Sequence, residues 1–377
     1  MIKVERELQE KIIKKLRPNK VVVITGARRA GKTFLLKEII SGIEEDYFFL
    51  NGEDINTHIL LEKRSAENYR NILGPKKILI IDEAQKIPEI GSILKLIVDE
   101  IEGIRIIATG SSAFDLTNLT GEPLVGRKHS FVLHPLSVRE NAQTETQLIR
   151  PDRLEHRLIY GNYPELLHID DNLSKQEYLN EIISSYLLRD ILSFENIRNS
   201  SRIFNLLRLV AFQIGSQVSL NELGKQLGIS KNTVEKYLDL LSKVFIIFRI
   251  EGFSKNLRKE ITKSSKWYFY DNGIRNAVIA NFNMPGLRDD SGQLWENFLA
   301  SERIKYQQYK GLAVNNFFWR TYDRQEIDWI EESGGRLNGF EFKTRNKGKK
   351  APAAWTKAYP SAGYEVIDRD KYFEWLA

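Results

Sequence analysis

The stretch VVVITGARRAGKTFLL, Val21–Leu36, decides the first part of the fold. Val21–Ile24 is a β-branched, wholly apolar run, the composition of a strand buried on both faces. Gly26 breaks it. Gly26, Ala27, Arg28, Arg29, Ala30, Gly31, Lys32 and Thr33 fit G-x-x-x-x-G-K-[ST], and from Lys32 through Phe34, Leu35, Ile39 and Ile40 the residues read as helix. Strand, glycine loop and helix in this order form a phosphate cradle. Glycines let backbone N–H groups turn inward around a phosphate, and the helix N-terminus adds partial positive charge. The spacing assigns Lys32 to the β- and γ-phosphates and the Thr33 hydroxyl to Mg²⁺. Gly26–Phe34 is the expected cofactor-binding segment.

Hydrolysis needs an acidic partner, and KILIIDEAQ (Lys77–Gln85) supplies one. A buried parallel strand ending there puts Asp82 and Glu83 at the sheet's C-terminal edge, where ligands sit. Asp82 is placed to hold Mg²⁺ and Glu83 to polarise the attacking water. A further strand, RIIATGSSA (Arg105–Ala113), ends in Thr109, Ser111 and Ser112. Of these small hydroxyls, Ser111 is the preferred γ-phosphate sensor. Arg127 precedes another apolar strand in LVGRKHSFVLHPLS, at the position of an arginine finger acting on its own or a neighbour's nucleotide. No Asn-Lys-x-Asp base-reading element is present, and the Asp-Glu pair favours ATP over GTP.

The chain of 377 residues is long enough for two or three domains. It has no cysteine, which excludes disulfides and thiolate-ligated metals. No apolar run approaches membrane length, and MIKVERELQEKIIKKL reads as an amphipathic charged helix rather than a signal peptide. A cytoplasmic location is expected. The net charge of +6 favours a polyanionic partner, although an exposed Lys/Glu-rich surface has the same composition.

Beyond Ser137 the apolar spacing turns helical, over Arg153–Leu167 and Lys175–Leu192, with YGNYPE (Tyr160–Glu165) as the turn between. This segment reads as a helical lid. In SLNELGKQLGISKNTVEKYLDLLSKVFIIFRIEGF (Ser219–Phe253), Leu220, Leu223 and Leu227 mark one helix and Gly228–Ser230 a tight turn. Val234, Leu238 and Leu241 point a second helix inward, and a following strand pair could form a wing. Lys231, Asn232, Thr233 and Lys236 would face outward, towards a phosphate or base edge, though such modules also serve in packing.

A second constellation lies in WRTYDRQEIDWIEESGGRLNGFEFKTRNKGKK (Trp319–Lys350). Two strands joined by Ser333–Gly335 carry Asp328 on the first, and Glu341 and Lys343 on one face of the second. The helix GQLWENFLASERIK adds Glu296. Carboxylates so placed, with a lysine, suit metal-dependent phosphodiester hydrolysis, with Asp328, Glu341 and Glu296 as oxygen ligands. A solvated hairpin face has the same pattern. The basic run Lys343–Lys350 offers phosphate contacts.

Taken in order, GARRAGKT, ILIIDEAQ, IIATGSS, LHPLS, LGISKNTVEKYLDLL, YFYDNGIRN, WENFLASE and EIDWI…GFEFK resemble those of archaeal and bacterial AAA-type ATPases. Those proteins carry a C-terminal domain of unknown function with a restriction-endonuclease-like core. The resemblance spans essentially the whole chain. It implies an α/β fold: an AAA+ type P-loop domain at 1–140, a helical lid at 141–200, a winged helix at 201–260 and a PD-(D/E)xK-like domain at 261–377. It implies ATP and Mg²⁺ at Lys32, Thr33, Asp82 and Glu83, Arg127 as finger, and nuclease-like residues Asp328, Glu341 and Lys343. Asp271, in YFYDNGIRN, is expected to cap the following helix. Two functions follow: an oligomeric ATPase that associates with DNA through its rear domains, with DNA cleavage as an added possibility, or a nucleotide switch whose rear half recognises a protein partner.

Overall fold

The computed structural model describes residues 3–110, 124–187, 200–254, 265–345 and 348–376. They fall into two compact units, Glu5–Pro135 with Lys243–Phe245, and Met1–Val4 with Leu136–Ser242 and Ile246–Ala377.

The first unit runs α1 (Gln9–Lys15), β1 (Lys20–Thr25), α2 (Lys32–Ser41), β2 (Tyr47–Asn51), α3 (Ile55–Glu62), α4 (Ala66–Leu73), β3 (Ile78–Asp82), α5 (Ile90–Glu100), β4 (Arg105–Thr109) and β5 (Lys128–Val132). Its strands form one parallel sheet in the order β2-β3-β4-β1-β5. β1, β3 and β4 are buried along nearly their whole length, as expected of strands covered on both faces. α5 shows how they are covered: Ile90, Ile93, Leu94, Ile97 and Val98 recur at helical spacing and are all buried in one core with Leu79, Ile81 and Ile106. Each such side chain contributes roughly 1.5–3 kcal/mol by leaving water. Because the strands are parallel, the ends of β1, β3 and β4 reach the same edge of the sheet. Gly26, Asp82 and Thr109 therefore meet there.

The second unit runs α6 (Val138–Asn141), α7 (Arg150–Tyr160), α8 (Asn172–Glu181), α9 (Ser200–Phe212), β6 (Gln217–Val218), α10 (Leu220–Leu227), α11 (Lys231–Lys243), β7 (Ile247–Gly252), β8 (Ser265–Phe269), α12 (Asn272–Val278), α13 (Ser291–Lys310), β9 (Asn315–Arg320), β10 (Glu326–Ser333), β11 (Arg336–Phe342), α14 (Ala353–Ala358), β12 (Gly363–Ile367) and α15 (Tyr372–Trp375). Its strands form a single sheet, β12-β11-β10-β9-β7-β8-β6. β7 is the joint: it pairs antiparallel with β8 and parallel with β9. Gly228 closes α10 at φ 63°, and Val234, Leu238 and Leu241 of α11 are buried as their spacing predicts.

One core crosses the boundaries at 200/201 and 260/261 expected from the sequence. Leu154 and Leu158 of α7, Phe248 of β7, Tyr268 of β8, Trp295 and Phe298 of α13, and Trp329 of β10 belong to the same cluster. The helices expected as a lid thus pack on the strands and helices that follow them. The physical reason is amphipathicity: α7 presents Leu154 and Leu158 on one side, and the aromatic surface of α13 buries them.

Candidate functional site

Local chain geometry builds the phosphate loop. Gly26 leaves β1 at φ 145°, and a Cβ there would lie 2.0 Å from the Leu133 carbonyl oxygen. Arg29 (φ 63°) and Gly31 (φ 94°) continue the turn through left-handed backbone. Ala27 and Ala30 are buried, whereas Thr33 and Phe34 at the start of α2 are exposed. α2 begins at Gly31 with no side-chain cap. Arg6 is buried and donates to the carbonyls of Ala30 (2.7 Å) and His134 (2.6 Å), bracing the loop from below. The Lys32 amine donates to the carbonyls of Gly26 and Ala27, each at 3.0 Å, so it lies along the loop it is expected to serve.

The acidic pair arrives from β3. Thr33 Oγ1 donates to Asp82 Oδ2 at 3.0 Å, which joins the helix start to the strand end two places away in the sheet. Thr109, at the end of the intervening β4, donates to Asp82 Oδ1 and accepts the Glu83 amide at 3.1 Å. Glu83 takes left-handed backbone (φ 50°), and its Oε2 accepts from Gln85 Nε2 at 2.6 Å. Hydroxyl and carboxylate oxygens side by side form a hard donor set that suits Mg²⁺. Ser111 lies outside the described residues. Thr109, named with it in the sequence, is the hydroxyl that the geometry joins to both acidic residues.

Arg127 stands away from the loop of its own chain. It immediately precedes β5, and its carbonyl accepts the Val21 amide at the start of β1, so it stands at the sheet edge opposite the loop. Its Nε donates to Asp99 Oδ1 at 2.6 Å. Five residues of strand separate that edge from Gly26, roughly 15 Å of extended chain. Arg127 takes no part in the nucleotide site of its own chain; a finger role would have to be played on another subunit's nucleotide.

The second constellation also assembles. Gly334 and Gly335, both at positive φ, make the two-residue turn between β10 and β11. The register Trp329↔Phe340 sets Asp328 beside Glu341, and Phe340 and Phe342 enter the core on the other face. Asp328 Oδ2 accepts the Phe342 amide at 2.9 Å, and Lys343 Nζ stands 2.8 Å from Glu341 Oε1 and 3.9 Å from Asp328 Oδ2. Glu296 faces inward from α13 and accepts from Tyr268 Oη at 2.6 Å.

Sequence reading missed a residue that bridges two of these carboxylates. Lys266 of β8, with 2% of its side chain exposed, lies 3.1 Å from Glu296 Oε1 and 3.9 Å from Asp328 Oδ1. Burial alone would lower its pKa, but Glu296 and Asp328 outweigh that and hold it above the ordinary range. Burial pushes Glu296 up to about 7 against the pull of Lys266. A divalent cation between Glu296 and Asp328 would have to share its place with this ammonium, so the residues present do not fit a metal there. Among the described residues, no three His, Cys, Asp or Glu side chains are grouped to hold a metal ion. The only sequence signal for Lys266 was a lysine heading an aromatic strand, SKWYFYD.

Comparison with known proteins agrees with the front of the chain. Residues 18–142 match the AAA domain family. Residues 151–284 and 291–375 match two domains of unknown function, DUF8612 and DUF4143. The first unit holds an AAA-type P-loop ATPase domain in an α/β fold. An uncharacterised protein of Mycobacterium tuberculosis is 27% identical over 328 residues, covering 86% of this chain and 70% of that protein. One from Methanocaldococcus jannaschii is 26% identical over 347 residues, covering 87% and 74%. A Signal Transduction ATPase with Numerous Domains (STAND) protein with a tetratricopeptide repeat sensor, from Pyrococcus horikoshii, aligns at 14% identity with a TM-score of 0.35. That alignment covers 82% of this chain and 47% of the other, and it is too distant to bear on fold or chemistry. No helix among the described residues is long and apolar enough to cross a membrane.

Proposed function

We propose that this protein binds ATP with Mg²⁺ in the Gly26–Thr33 loop and hydrolyses it, and that its second unit associates with DNA. The observation that carries the first part is the 3.0 Å hydrogen bond between Thr33 Oγ1 and Asp82 Oδ2. It joins two hard oxygen donors at the mouth of the loop, beside the buried Lys32. Loop amides would take the phosphate oxygens, and Lys32 would exchange the Gly26 and Ala27 carbonyls for the β- and γ-phosphates. Mg²⁺ held by Thr33 and Asp82 would offset the phosphate charge. Glu83 would orient the attacking water and accept its proton, and Thr109 is the positioning residue that aligns both acids.

Replacing Lys32 with Ala is expected to abolish binding of a fluorescent ATP analogue. Replacing Glu83 with Gln should leave binding intact while cutting phosphate release at least ~100-fold. Release at the wild-type rate from the Glu83→Gln protein would remove Glu83 from this role.

For DNA, support comes from α10, the Gly228 turn and α11, followed by β7 and β8, the order of a winged helix. Lys231, Asn232 and Lys236 lie on the exposed side of α11. DNA cleavage forms no part of this reading, because Lys266 stands among the carboxylates that a nuclease metal would need.

A second reading, a nucleotide switch whose rear half recognises a protein, draws on one observation. A cleft of about 1000 Å³ along α11 and β8 is lined by Glu235 and Asp239 as well as Lys231, Lys236 and Arg249, with Trp267 at its wall. Mixed charge and an aromatic side chain suit a polypeptide better than a bare phosphate backbone.

A further inference from the structure

We propose that Lys266 is the resident cation of the Glu296–Asp328–Glu341 cluster, and that this cluster binds no divalent metal. The ammonium stands 3.1 Å from Glu296 Oε1 and 3.9 Å from Asp328 Oδ1. Three acidic side chains and three lysine amines meet here: Lys266 beside Glu296, and Lys343 and Lys349 both on Glu341 Oε1. Tyr268 Oη supplies a further donor to Glu296, and the Phe342 amide one to Asp328. Among the described residues of the cluster, Glu341 Oε2 is buried without a hydrogen bond, on the carboxylate whose other oxygen serves both Lys343 and Lys349. Lys266 is fully enclosed, and leaving the cluster would strand an unpaired charge on each side. A metal held between Glu296 and Asp328 could enter only by displacing it. The sequence pattern of a metal-dependent nuclease is thereby converted into a closed ionic centre that ties β8, α13, β10 and β11 together.

Titrating Mn²⁺ into the nucleotide-free full chain, with free Mn²⁺ read by electron paramagnetic resonance, tests this. Any ion bound near Gly26–Thr33 is common to all variants and cancels. The wild type and Asp328→Asn should bind the same number of ions. Lys266→Met should bind one more per chain, and the double variant Lys266→Met/Asp328→Asn should lose it again. If Asp328→Asn binds one ion fewer than the wild type, the cluster holds a metal with Lys266 present and the proposal fails. It fails equally if Lys266→Met gains no ion while melting cooperatively. Should Lys266→Met not fold, the comparison of wild type with Asp328→Asn still decides.

Discussion

Arg275 and Arg288 are almost wholly buried, and both close on one carboxylate, Asp290, at 2.5 and 2.7 Å. Burial opposes ionisation of Asp290, but the hydrogen bonds from Arg288 and the charge of Arg275 bring it down to about 2 from an ordinary 3.8. A lowered folded-state value means the stabilisation is complete above the unfolded value and is lost as pH falls towards the folded one. Asp290→Asn should therefore cost about 2 kcal/mol or more at neutral pH, with the gap from wild type closing between pH ~4 and ~2. Urea midpoints across that range check it; a gap that ignores pH would show that shape rather than charge is at stake. None of this trio stood out in the sequence, because an ion pair across 15 residues leaves no periodic trace. Gly26 was legible for the opposite reason. Its backbone angle and the Leu133 carbonyl beneath it admit only glycine, and the motif records that constraint as a residue type.

Among elements, α12 shows how two separately read fragments depend on each other. Asp271 caps the helix by accepting the amides of Gly273 and Ile274, as expected, and it also accepts the Asn162 amide at 2.7 Å. A Cβ on Gly161 would lie 1.9 Å from Asp271 Oδ1, and one on Gly273 would lie 1.9 Å from the Tyr160 carbonyl. YGNYPE and YDNGIRN are thus two halves of one contact. Asp271→Ala would leave three buried amides without their acceptor, so it should cost roughly 3 kcal/mol or more, read from the chemical denaturation midpoint. Asp271→Asn, which keeps one acceptor oxygen, should recover part of that. A loss near zero would mean water replaces the carboxylate. Helix periods and turns in this region were readable because they are local. Their partners were not, since the contact spans 109 residues.

At the scale of the molecule, the charge of +6 and the outward residues of α11 give the DNA reading a quantitative form. The logarithm of affinity should fall linearly with the logarithm of salt, by about 0.9 per phosphate contact. Replacing both Lys231 and Lys236 with Ala should reduce that slope by about 2. Filter binding measures both, and the protein-partner reading requires neither. The sequence alone determined the P-loop domain: its strand, glycine loop and acidic strand end are each defined by neighbours a few residues apart, and parallel strands then bring their ends together. It also carried the helix-turn-helix and the β10–β11 hairpin for the same local reason. Only the tertiary structure decided that α7, β7, β8 and the C-terminal strands share one core, that Arg127 lies at the wrong edge for its own nucleotide, and that Lys266 sits beside Glu296 and Asp328. Those three outcomes rest on which strand adds to which edge of a sheet, and the free energy that selects the pairing comes from burial between segments far apart in the chain.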